Sequence, residues 1–246
     1  MRRILVLCLI MLLGCAVLSA QKRGAKRKLS NESPKGSSAV VIDQRLSVLR
    51  QDPSLYASPL KRLDIGTEVT VLEEKEADGV LFYKVAEATA VTGWIQSEAI
   101  AGKFRKNDDQ RVFQLILGST GFVQIQRGAL FLDLFDDSPF RPSVLLLFGD
   151  IVEEEAAALT KRADAALVRG EMAAARAPLH SFYLNYVELD QYRKLGIRFL
   201  FNADTKMLHY NGDAWFEITR EYPESPLTIE ARERITSLTL KMKAKN

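Results

Sequence analysis

Cysteine is almost missing from this 246-residue chain. Cys8 and Cys15 are the only two, and both lie in the first 15 residues. The body therefore has no disulfide framework, no thiol nucleophile and no cysteine-ligated zinc. Histidine is as scarce. His180 and His209 have no partner ligand at a metal-binding spacing, so both read as surface or packing residues and no metal is expected. Gly-x-Ser-x-Gly, phosphate-loop and Gly-x-Gly-x-x-Gly patterns are all absent, and no cofactor is expected. Glu153-Glu154-Glu155 points around a helix and reads as a solvated face, not a converging acid pair. No catalytic residue is assigned.

An excess of one charge is lacking too. The net charge of +3 arises at the N-terminus, where residues 1–39 carry eight Lys/Arg against Glu32 alone. The remaining 26 basic and 30 acidic residues make 40–246 mildly acidic, at −4. That excludes a basic nucleic-acid-binding body. A 47% hydrophobic content and mean hydropathy of −0.06 exclude wholesale disorder and a polytopic membrane protein.

The only long apolar run is at the start. Arg2-Arg3 precede Ile4 to Leu13, the length of a signal-peptide core. Leu12-Leu13-Gly14-Cys15 follows and resembles the bacterial lipobox, with Leu13 bulkier than is usual at its position. The resemblance implies lipid attachment at Cys15 and a membrane tether outside the cytoplasm. Two alternatives stand: cleavage after Ser19 or Ala20, giving a soluble periplasmic or secreted protein, and retention of 4–20 as a short signal anchor. Residues 21–39 are basic and poor in large apolar side chains, and are expected to be a disordered linker.

From 40 to 102 the apolar period is two. Val40 to Ile42, Leu46 to Arg50, Leu63 to Leu72, Val80 to Val85 and Thr92 to Ile95 read as short strands, closed by Ala99-Ile100, with Asp78-Gly79 as a hairpin turn. Five short strands predict a small barrel. Val48-Leu49-Arg50, Ile65-Gly66-Thr67-Glu68-Val69, Phe82-Tyr83-Lys84-Val85 and Gly93-Trp94-Ile95 come in the order of the bacterial SH3-like domain, which this segment resembles. The resemblance implies binding of a peptide, a peptidoglycan stem peptide among them, or of a partner protein. Tyr83 and Trp94 are the candidate peptide-binding residues, with a place in the barrel core as the other reading of Trp94. Only one of Phe82 and Tyr83 is expected to face the core.

Beyond 103 the period lengthens towards 3.6. Helices are predicted over 111–117, 121–135, 143–167, 171–177, 179–186, 189–201, 214–222 and 227–241. Phe135-Asp136-Asp137-Ser138-Pro139-Phe140 is echoed by Tyr222-Pro223-Glu224-Ser225-Pro226-Leu227. An aromatic followed by an acidic Ser-Pro turn resembles the loop of tetratricopeptide-like hairpins, which implies helical repeats.

The expected fold is therefore α+β multidomain: signal segment 1–20, linker 21–39, an SH3-like β-barrel at 40–102 and an all-α helical-hairpin, repeat-like domain at 103–246. The expected function is a non-enzymatic binding or scaffold protein of the cell envelope, the helical domain taking a protein partner. The alternative is a wall-acting enzyme with the barrel as its targeting module.

Overall fold

The computed structural model describes residues 34–88 and 91–243. The signal segment, Cys15 and most of the predicted linker lie outside them. An N-terminal β-sheet region is followed by a mainly helical part, and the described residues belong to one compact unit.

The first part holds β1 (Ser38–Val41), β2 (Val48–Arg50), β3 (Pro59–Arg62), β4 (Glu68–Ala77), β5 (Val80–Glu87), β6 (Thr92–Gln96) and β7 (Ile100–Ala101). They form one antiparallel sheet in the order β3-β2-β6-β5-β4-β1-β7. Two short strands join the five predicted: β3, which pairs with β2, and β7, where Ile100-Ala101 pairs with β1 at one edge. Asp78 and Gly79 both take positive φ, as the tight β4–β5 turn requires. Val69, Val71, Val85 and Ile95 alternate inward and meet Val41, Leu49 and Ile100 in one core.

The second part holds α1 (Asp108–Leu117), α2 (Gly121–Leu134), α3 (Arg141–Ala166), α4 (Arg169–Ala175), α5 (Leu179–Leu184), α6 (Leu189–Arg193), α7 (Asp213–Glu221) and α8 (Leu227–Met242). Between α6 and α7 lies a hairpin, β8 (Phe199–Asn202) and β9 (Met207–Tyr210). This corrects two expectations: the part is not all-α, and the helix predicted over 189–201 ends at Arg193. Gly196, at φ 76, breaks it, and Phe199-Leu200-Phe201 then pairs with β9. An aromatic run that fits a helical stripe also fits a strand, and tertiary pairing decided.

α3 is the central element. It packs against α2, α7, α8 and β9. A solenoid instead stacks each unit only on its neighbours, so the helices do not form a one-dimensional repeat array. The echoed motif has a local meaning. After α2 and again after α7, the aromatic residue ends the helix, with Phe135 N bonded to Phe131 O and Tyr222 N to Ile218 O. The serine hydroxyl then accepts from the amide two residues on, Ser138 from Phe140 (3.2 Å) and Ser225 from Leu227 (3.3 Å). One turn chemistry is used twice, to join α2 to α3 and α7 to α8.

The two parts share a core. Ile42 and Ala101 pack with Val112, Ile116, Phe131 and Val144 from α1, α2 and α3. At its edge, Arg127 of α2 is buried beside buried Asp43. Its Nε donates to Ile42 O (2.9 Å), one Nη to Ser119 Oγ (2.8 Å), and the other lies 3.4 Å from Asp43 Oδ2. Burial pulls the Arg127 pKa down against the pull of Asp43, while the hydrogen bond from Arg45 holds Asp43 below its ordinary value despite burial.

Candidate functional site

The β5–β6 register settles where the two candidate aromatics point. Tyr83 pairs with Ile95 and Lys84 with Trp94, so Tyr83 and Trp94 lie on opposite faces of the sheet. The structure does not bring them together. Tyr83 is in the core, edge-on to Phe104 at 5.9 Å, with the Arg105 guanidinium 6.0 Å from its ring. Burial raises its pKa.

Trp94 belongs to the other face. Arg50 is its register partner across β2, and Lys84 Nζ sits 5.9 Å from its ring centre. Phe82 is on this face as well, and is fully buried. Phe82 and Tyr83 are thus both buried, on opposite sides, where only one was expected to be. The reason is the segment 51–58, which the strand pattern does not show. Arg50 Nη1 donates to Ala57 O (2.8 Å), which holds the segment over the Trp94 face. Asp78 ties its other side to the β4–β5 turn, accepting from Ser54 Oγ (2.7 Å) and Leu55 N (2.9 Å). Trp94 is left 7% exposed, while Tyr56 on the segment is 89% exposed.

Gly93 explains the first residue of the Gly-Trp-Ile motif. A Cβ there would lie 2.7 Å from Leu49 Cγ and 2.8 Å from Arg50 O, so only glycine lets β2 cross so close. Arg50 and Lys84 have no carboxylate partner among the described residues, and Arg50 Nε is buried without a hydrogen bond. The Trp94 face is therefore aromatic and cationic. With the indole buried, what this face offers a ligand is positive charge, which suits a carboxylate.

A second polar place lies between α3, α8 and β9. Glu153 accepts from Tyr210 N (2.8 Å) and Lys241 Nζ (2.6 Å), and its Oε1 is 3.0 Å from His209 Nδ1. An ionised carboxylate only accepts, so Nδ1 carries the proton. Burial would raise the Glu153 pKa, but the three bonds outweigh it and hold the group below its ordinary value. The Glu153-Glu154-Glu155 run is thus not simply a solvated face: Glu155 is also engaged, accepting from Tyr192 Oη and Arg162. Only the β9 register, unseen in the sequence, shows these roles. Glu153 and Glu154 line two clefts of 300 and 370 Å³. Among the described residues no group of His, Cys, Asp or Glu is placed to hold a metal ion.

Residues 47–101 match the bacterial SH3 domain family. No curated protein and no solved structure matches the chain. Nothing in these comparisons supports tetratricopeptide-like repeats in the C-terminal half.

Proposed function

We propose that the protein is a non-enzymatic binding component of the bacterial cell envelope. In this reading it is exported and tethered through lipid on Cys15, its SH3-like part holds a carboxylate-bearing wall peptide, and its helical part holds a protein partner. The match of residues 47–101 carries the reading, because a bacterial SH3 domain is typically a wall-binding or targeting module. The cations beside Trp94 that have no carboxylate partner among the described residues supply the chemistry: Lys84, over the buried indole, and Arg50 attract a carboxylate. Among the described residues no helix is long and apolar enough to cross a membrane, so attachment in this reading falls to the N-terminal segment.

The test is sedimentation of the full chain with purified peptidoglycan sacculi. The expected result is co-sedimentation that soluble stem peptide competes away. Lys84→Glu reverses one site charge and should weaken binding about tenfold without lowering thermal stability. Recovery no greater than that of an unrelated acidic protein overturns the proposal.

A further inference from the structure

The β8–β9 hairpin has two outer edges, and they are treated differently. Asn211 N donates to Arg198 O (3.2 Å), continuing the ladder one step beyond the strands. Backbone groups that face the partner strand alternate along an antiparallel pair. Arg198, Leu200 and Asn202 therefore turn theirs towards β9, and Phe199 and Phe201 turn theirs away.

On β9 the outward amides are answered from α3. Leu208 N donates to Thr160 Oγ1 (2.9 Å) and Tyr210 N to Glu153 Oε2 (2.8 Å). On β8 nothing answers. The N–H and C=O groups of Phe199 and Phe201 have no hydrogen-bond partner among the described residues. The strand itself, Phe199-Leu200-Phe201-Asn202, carries no charge, proline or bulge against strand pairing, and α5 packs against it, with Tyr183 stacked on Phe201 at 4.7 Å.

Beside this edge lies a cleft of 330 Å³. Leu184, Leu189, Ile197 and Leu200 give it apolar walls, and Arg193 and Arg198 line it, with no carboxylate among the lining residues. Their partners, Asp190 and Asp213, stand outside the cleft in exposed pairs of 2.7 and 2.9 Å. Such pairs are weak, and their guanidiniums remain able to take a second carboxylate.

We propose that β8 is a strand-addition site for an extended peptide that carries acidic residues next to an aliphatic one. Two backbone donors and two acceptors in period-two register match an extended chain, the cleft takes the aliphatic side chain, and the arginines select carboxylates. The proposal rests on the reading of the helical part as a protein-binding element, and names its partner's chemistry.

The probe is the acetylated, amidated peptide Glu-Val-Glu-Val-Glu, titrated into the ¹⁵N-labelled full chain. Chemical-shift changes are expected at the Phe199 and Phe201 amides and at their β8 neighbours. The fully N-methylated peptide, unable to donate to the edge, should bind about tenfold more weakly, as should the Lys-Val-Lys-Val-Lys peptide. Leu200→Lys places a charge on the edge and should weaken the first peptide to a similar degree, with thermal unfolding as the check on its fold. No change at Phe199 and Phe201 with millimolar peptide overturns the proposal, as does equal binding of the N-methylated peptide. Changes confined to 47–101 would overturn it and leave the barrel reading standing. Failure to bind sacculi, with the β8 shifts present, would do the reverse.

Discussion

Arg127 shows at the scale of one residue how the two parts are held. A guanidinium is costly to bury, and this one is kept by Ile42 O, Ser119 Oγ and Asp43 together. Arg127→Ala leaves Asp43 buried with fewer partners and opens a void at the shared core. It should destabilise the chain by about 3–5 kcal/mol in urea unfolding, and Arg127→Met, which keeps the volume, by clearly less. Equal losses would assign the effect to the lost polar partners alone, with no share for packing. In the sequence, Arg127 was one charge in a helical stripe, because Asp43 and Ile42 are 84 and 85 residues away in numbering. Trp94 was legible as a special residue through its motif, but the burying segment was not, since Arg50 to Ala57 and Ser54 to Asp78 are tertiary bonds.

Elements are tied by single side chains as well. Glu153 joins α3 to β9 through Tyr210 N and to α8 through Lys241. Its pKa is lowered in the folded chain, so its stabilisation is complete above the ordinary value of 4.5 and is lost as pH falls through the lowered one. Other depressed carboxylates, Asp43 among them, act in the same direction. The specific expectation is therefore a difference: Glu153→Gln should be less stable than the parent at pH 7, and the gap should narrow on acidification towards pH 3 as the parent carboxylate is protonated, a range set by model carboxyl values of about 4. A gap independent of pH, in denaturant midpoints across that range, would deny Glu153 this role. The β8–β9 hairpin it secures was hidden because Leu189 to Phe201 carries apolar residues at helical spacing. The Ser-Pro echo was legible at its own scale, as turn chemistry that both helical hairpins use.

For the whole molecule, the sheet and the helices unfold as one body if the shared core means what its packing suggests. Ile42 and Ala101 are fully buried against α1, α2 and α3, and would be exposed in an isolated barrel. Residues 34–102 alone should lack a cooperative thermal transition or melt well below the full chain, whose transition should be single in calorimetry. An isolated segment as stable as the full chain would show the barrel to be an independent module. Binding by the Trp94 face and strand addition at β8 would then be separable by simple truncation.

By itself the sequence determined what local chemistry can decide. The change of apolar period from two to 3.6 divided strands from helices, Asp78-Gly79 set a hairpin, and Gly-Trp-Ile marked the SH3-like part. Scarce cysteine and histidine excluded whole classes of site. Only the tertiary structure decided which face Trp94 occupies, what covers it, that the helices gather round α3, and that the outward backbone groups of Phe199 and Phe201 find no hydrogen-bond partner among the described residues. These depend on bonds between residues far apart in the chain. Propensity and periodicity act over a few residues, and carry no record of which distant backbone groups find partners and which do not.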